Sequence, residues 1–301
     1  TALWPKLSGG NTPEGLKRAG EVSPMGAETR EDILRVMDDL DIDKSIQLSS
    51  HMLTYGMIDT DDRRQTVYAN AYTDYVLDNV VDPDAGITMM VPAPYNDPNE
   101  AAELVDRVGD ERAVVGVCMV CSGPEPPLGH RRYDPIYDAA ERAGLPVVFH
   151  GATTGLDDFY VSGFSSQLET HTLGFVWDNM ATLASVVAQG KPDKFPSLDF
   201  VFQEAGLSYV AHMMMRMDTE YLRRHADAAH LEKRPSEYMK EFWYGTQPLE
   251  VPTDPAHLEH IVDIVGGPDR LLYASDWPHP DFDAPTSITQ LSFLSAEEQA
   301  R

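Results

Sequence analysis

LLYASDWPHPDFDAP, Leu271 to Pro285, and LPVVFHG, Leu145 to Gly151, decide how this chain is read. Each is a short apolar run that stops at a residue able to bind a metal or move a proton: Asp276 in the first, His150 in the second. Such runs, closing on Gly or Pro, read as strands buried on both faces. In folds where strands alternate with helices, the polar residue at the carboxyl end of a strand is where chemistry is placed. A third run, LDFVFQEAG at Leu198 to Gly206, ends the same way at Glu204. The pattern is that of an enzyme.

Working outward, seven segments read as strands: Lys44–Ser49, Gly86–Val91, Ala113–Val120, Leu145–His150, Leu198–Glu204, Glu241–Thr246 and Arg270–Asp276. Helical patterns lie between them. Arg30–Leu40 carries Ile33, Leu34, Met37 and Leu40 on one face. Asp134–Ala143 and Asp254–Val265 both open with Asp-Pro, a cap followed by a first-turn proline, and Leu173–Gln189 and Ser208–Arg224 are longer. Strand then helix, repeated, means a parallel sheet with right-handed crossovers. The count suits an eight-stranded (β/α) barrel that is one strand short. Helix Arg30–Leu40 precedes the first strand, as though a strand ahead of it were cut off or lay outside this sequence. Residues 1–29 are rich in Gly and Pro and read as an irregular amino-terminal segment, with the barrel domain spanning residues 30–301. The alternative, a doubly wound open sheet, should carry a Gly-rich phosphate loop, and no G-x-G-x-x-G or Walker pattern is present. That absence also weighs against a nucleotide-dependent enzyme.

Composition narrows the partners. The net charge is −26, with acids in short clusters such as Asp38, Asp39, Asp41 and Asp43, a field that repels nucleic acid and anionic membrane. Seven of the 23 basic residues are Lys, and an acidic, Lys-poor surface is one that stays soluble in high salt, so a halophilic source and an ordinary acidic protein are both open. No apolar stretch reaches membrane-span length and no secretory signal opens the chain, so a soluble, cytoplasmic protein is expected. Cys118 and Cys121 fall within the apolar run AVVGVCMVC. Residues three apart on a strand face opposite ways, so two buried thiols in a reducing compartment are expected rather than a disulfide.

His150 at a strand's carboxyl end can bind a divalent metal, or simply cap the next loop. Asp276 can bind metal, take a proton from a metal-bound water, or cap the turn Asp-Trp-Pro. His279, three residues on, can orient substrate or that carboxylate. Asp281 and Asp283 read as solvated loop acids. Glu204, at the end of an apolar run, must be paired, metal-bound or shifted in pKa, and general base, metal ligand and structural ion pair are all open. His171 begins a long helix after a Gly/Ser-rich loop, residues 151–167, that reads as a lid; it can donate to substrate or cap the helix. His51 is a weaker candidate. The run Met213–Met215 with Met217 reads as core packing.

LPVVFHG, FPSLDFVFQEAG and LLYASDWPHPDFD together resemble the amidohydrolase superfamily, and within it the branch named for aminocarboxymuconate semialdehyde decarboxylase. The resemblance runs from about Arg30 to Pro285. It implies a TIM barrel holding one divalent metal, zinc or manganese, at its mouth. It also implies either hydrolysis or non-oxidative decarboxylation of a small carboxylated or cyclic organic compound, and a homodimer, to which the apolar segment Glu241–Val251 could contribute. By position, His150 matches the metal-binding histidine of the branch and Asp276 its metal-binding, proton-handling aspartate. Where much of the branch places a catalytic histidine this chain has Glu204, as in a subgroup with Glu-x-Gly. The branch's opening Asp-x-His-x-His motif is absent, and neither His51 nor His130 sits in that context. That departure keeps a second class open: a non-catalytic or metal-free barrel serving as a binding or scaffold protein.

Overall fold

The computed structural model describes residues 29–48, 52–53, 62–152, 164–277 and 282–299. Seven strands form one sheet, in order β1 (Ser45–Gln47), β2 (Ile87–Pro92), β3 (Val114–Val120), β4 (Val147–His150), β5 (Phe200–Gln203), β6 (Trp243–Gly245) and β7 (Leu271–Leu272). Every neighbouring pair is parallel. A sequential, all-parallel order sends every right-handed crossover to the same face, so the sheet curls with its helices outside. A doubly wound sheet would reverse strand order at a switch point, and here it does not. The result is a curled half-barrel of seven strands.

The outer layer consists of α1 (Arg30–Leu40), α2 (Asp62–Asn79), α3 (Pro98–Val108), α4 (Asp134–Ala143), α5 (Gln167–Ala188), α6 (Ser208–Arg223) and α7 (Pro255–Val265), with shorter turns between. Side chains sort by the period of two along each strand. Phe149 and Phe200 both pack on Tyr137 of α4, and Phe202 sits 4.9 Å from Phe149, so these face the helices. Their neighbours Val148, His150, Val201 and Gln203 therefore face into the curl. Strand register carries this inner face across the sheet in one rung: Val120 pairs with His150, His150 with Gln203, and Leu272 with Gly245, which follows the Tyr244 partner of Phe202. One apolar cluster fills the space between strands and helices, with Val147, Phe149, Tyr137, Val186 and Val187 fully buried.

All seven expected strands exist, but β1, β4, β5, β6 and β7 are each shorter than the sequence suggests, β7 most of all. β7 stops at Leu272, four residues before Asp276, because Asp276 has φ 55° and cannot continue an extended strand. Helix α5 begins at Gln167, capped by Ser166 in a reciprocal box with Glu169, so His171 lies in the second turn and is not the cap. Asp134 is the first residue of α4 rather than its cap, and its carboxylate holds Lys191 and Lys194 instead. Asp254 does cap α7, accepting the Ala256 amide at 3.0 Å. Helices α2 and α3 were not singled out by the sequence reading. In the methionine run Met213 and Met214 are buried, but Met215 is exposed. Phe242 and Tyr244 of the 241–251 segment are spent on the core, leaving Val251 on the surface. Residues 1–28 and most of the expected lid lie outside the described residues, as do His51, His279 and Asp281.

Candidate functional site

β4 aims His150 inward at the top of the curl. The residue is 6% exposed, and Nδ1 lies 2.6 Å from the carbonyl oxygen of Gly151, which can only accept, so Nδ1 carries a proton. Nε2 is thereby turned toward the neighbouring strand end. There Glu204, one residue beyond β5, takes φ 60°, and this left-handed step swings its carboxylate back so that Oε2 contacts His150 Nε2. Glu204 is 8% exposed, and no well-aligned hydrogen-bond donor reaches Oε2. A lone pair on nitrogen and a carboxylate oxygen cannot face each other unless positive charge lies between them, either a proton on the imidazole or a cation.

Burial alone would push the His150 pKa down. The Glu204 charge and its contact, the charge of Asp276 and the Gly151 carbonyl together outweigh burial and hold the imidazole above its ordinary value. Asp276 is thus close enough to act on His150, so the three residues singled out by sequence converge. Among the described residues no group of three or more His, Cys, Asp or Glu side chains is placed to hold a metal ion by itself. The pair His150 and Glu204 supplies two ligand atoms of the right chemistry, with the Glu204 oxygen otherwise orphaned. A divalent ion bound there would have to part this contact and take its remaining ligands from substrate or solvent.

Beside the pair lies a pocket whose walls include Leu48, Met52, Leu53, Met90, Pro92 and Val120. Cys118 also lines it, close enough to Glu204 that the carboxylate adds to burial in pushing the thiol up to about 12. The mouth thus has an apolar side, formed by β1 to β3, and a polar side formed by β4, β5 and the Asp276 loop.

Three supports hold this geometry, and sequence reasoning missed all of them. Ser122, fully buried just past β3, has its hydroxyl against Asp178 of α5, 2.7 Å from the carbonyl oxygen of Ala152 and 2.9 Å from its amide, pinning the chain two residues after His150. Asn179 donates to the carbonyl of Gln203 at 3.2 Å, tying α5 to the end of β5. Glu250 Oε2 accepts from the amides of Leu207 and Ser208 at 3.1 and 2.8 Å and from the Ser208 hydroxyl at 2.5 Å, capping α6 immediately after the Glu204 turn. Gly206, at φ 67°, is required there, since a Cβ would meet the Glu250 side chain at 2.7 Å. Asp283 is no solvated acid: its carboxylate accepts from the Leu249 amide at 2.7 Å and its carbonyl from Tyr273 at 2.6 Å, closing the loop that carries Asp276. His171 packs edge-on against Phe175, one turn above Asp178 and Asn179 on the same face of α5. Cys118 and Cys121 are unpaired and buried, as expected.

A family model described as Amidohydrolase matches residues 15–301, and the chain belongs to that family. No curated protein matches it. Among solved structures, an amidohydrolase from Mycobacterium avium subsp. paratuberculosis K-10 aligns at 23% identity, covering 91% of this chain and 71% of that one, with a TM-score of 0.75. A 5-carboxyvanillate decarboxylase from Novosphingobium aromaticivorans DSM 12444, complexed with manganese and 4-hydroxy-3-methoxy-5-nitrobenzoic acid, aligns at 20% identity over 99% of this chain and 83% of that one, TM-score 0.75. A 2,6-dihydroxybenzoate decarboxylase from Rhizobium aligns at 17% identity over 96% and 92% of the two chains, TM-score 0.70. At these identities the likeness carries the fold. No described helix is long and apolar enough to cross a membrane.

Proposed function

We propose that this chain is a metal-dependent enzyme that decarboxylates a small carboxylated aromatic compound, on a barrel whose eighth strand is not among the described residues. The observation that carries the reading is the buried contact of His150 Nε2 with Glu204 Oε2, both ligand-type atoms, beside an apolar pocket. Two of the solved structures similar in fold are aromatic-acid decarboxylases, and one of them was solved with manganese. His150 and Glu204 would hold a manganese or zinc ion, with Asp276 beside them. A divalent ion bound there acts as a Lewis acid on the substrate's oxygens.

The chain's own residues do the rest. Leu48, Met52, Met90 and Val120 would give the ring an apolar wall to lie against. Removing water from around a carboxylate favours loss of carbon dioxide, whereas hydrolysis would need a water held in place, so the apolar wall favours decarboxylation. When the carbon–carbon bond breaks, its electron pair stays on the ring carbon, which must take a proton. Asp276, in its left-handed turn, would in its protonated form deliver that proton and regain one from solvent. His171 and His279 are further candidates to orient the substrate from α5 and from the Asp276 loop.

The test is direct. Manganese- or zinc-loaded protein is incubated with 2,6-dihydroxybenzoate and 5-carboxyvanillate, and carbon dioxide release is followed. Release by the native protein, lost in Asp276→Asn, supports the reading. Native turnover that survives Asp276→Asn would sink the mechanism, and no carbon dioxide from any carboxylated aromatic would sink the activity.

A further inference from the structure

Gln247 is 1% exposed, and its Nε2 has no hydrogen-bond partner. A buried amide donor without an acceptor is costly to keep, and it persists where a ligand supplies the missing acceptor.

Its position says which ligand. Thr246 continues the pairing of β6, its amide donating to Leu272 at 3.0 Å, so alternation puts Gln247 on the same face as Gly245. That is the face of Gln203: a Cβ on Gly245 would lie 3.1 Å from Gln203 Cγ, and Gln203 is the rung partner of His150. The segment around Gln247 is fastened to both loops that carry the site. Thr246 accepts from Ala274 at 3.4 Å and the Leu249 amide donates to Asp283 at 2.7 Å, on the Asp276 side. Glu250 holds Leu207 and Ser208 on the Glu204 side. The chain at Gln247 is therefore tied on both sides, to the loop that follows β5 and carries Glu204 and to the loop that follows β7 and carries Asp276.

We infer that Gln247 is a specificity residue: its Nε2 donates to an oxygen of the bound aromatic acid, either the carboxylate or a ring hydroxyl beside it. The inference rests on the aromatic-acid reading of this site and names a contact within it. An uncharged donor suits the place, because it recognises an oxygen anion without adding a positive charge to compete with a cation at His150 and Glu204.

The experiment is calorimetric titration of manganese-loaded native protein and Gln247→Leu with benzoate and with 2-hydroxybenzoate, with melting curves on the same samples. Gln247→Leu keeps the side chain's bulk and removes the donor. The expected result is at least a tenfold loss of affinity for the acid, with a melting temperature unchanged or higher because an orphaned donor has gone. Loss toward both acids assigns the contact to the carboxylate; loss toward 2-hydroxybenzoate alone assigns it to the hydroxyl. Equal affinity in the two proteins would overturn the inference and leave the site reading standing, as would a melting temperature lowered by several degrees, which marks a structural role. If the native protein binds neither acid, the aromatic-acid reading fails and the inference fails with it.

Discussion

Glu204 and Asp276 share a backbone conformation that side-chain-bearing residues seldom adopt, with φ of 60° and 55°. Among the described residues a third such position, Asp41, closes helix α1, where a left-handed cap is ordinary. The other two follow strands and end at the site. Strain of this kind costs on the order of 1–3 kcal/mol at each position and survives where function needs the side chain there. Glu204→Gly removes that strain but also the buried partner of His150, so it should cost less stability than Glu204→Ala, which loses the same contact and keeps the strain, while metal binding and turnover disappear in both. Equal losses in the two variants by urea unfolding would show that the turn at Glu204 stores no strain. Asp276→Asn, in a residue type that tolerates the left-handed region, should change stability by no more than about 0.5 kcal/mol. Its rate should drop by about a hundredfold or more, as expected on loss of a proton-transfer group.

Much of this was legible in the sequence because it is local. An apolar run that stops at a polar residue is local, so the sequence could single out His150, which ends β4, Glu204, one residue past β5, and Asp276, four residues past β7. The supports could not, because they join residues 56 apart (Ser122 and Asp178) or 42 apart (Ser208 and Glu250). One signal was available and unused: α3 opens with Asp97-Pro98, the same cap-and-proline pair that marks α7. Strand β7 was over-read for the opposite reason. LLYAS looks extended, but the turn at Asp276 and the hydrogen bonds of Asp283 to Leu249 and Ser275 are tertiary, and they claim the strand's last residues for the site loop.

The clamp behind His150 gives a second prediction. Asp178 is 4% exposed and its carboxylate meets the Ser122 hydroxyl, which accepts from the Ala152 amide and shares its one proton between the Ala152 carbonyl and that carboxylate. Ser122→Ala removes the bridge and should cost about 1–3 kcal/mol, since it leaves a buried carboxylate short of a donor. Because Ala152 is two residues from His150, turnover and metal affinity should fall further than stability alone accounts for. Metal titration of the folded variant at low temperature separates the two effects. Native affinity there would show that the clamp serves the fold only.

Glu250 acts on the other side of the pair. It caps α6 with three accepted hydrogen bonds on one carboxylate oxygen, next to a helix's positive end. Glu250→Ala should destabilise the protein by about 1–2 kcal/mol, in the range of a lost helix cap. The turn from Glu204 to Ser208 should also loosen, which hydrogen exchange at the Leu207 and Ser208 amides would report. Unchanged protection at those amides would mean that Gly206 and the helix hold the turn unaided.

The two thiols give a pH-dependent prediction. Burial, with a smaller push from Glu204, raises Cys118 to about 12, and burial raises Cys121 as well. A raised thiol pKa means the reactive thiolate is scarce at every pH below it. Iodoacetamide at pH 8 should therefore leave the native protein unlabelled, while unfolded protein takes up two labels, read by intact mass. Rapid labelling of the native protein at pH 8 would show that the pocket beside Cys118 opens to solvent far more than the structure describes.

The metal itself is tested by stability rather than by activity. His150 and Glu204 already meet without a metal, so apo protein should fold, and chelation should lower the melting temperature without abolishing it. An ion that binds the folded state alone adds about 2.7 kcal/mol at a hundred times its dissociation constant. Manganese or zinc added back should restore that increment in the native protein. His150→Gln and Glu204→Gln should each lose most of it, because each removes one of the two ligand atoms the described site provides. The same increment in both variants would place the ion elsewhere, and identical melting with chelator and with metal would remove metal from the account of this site.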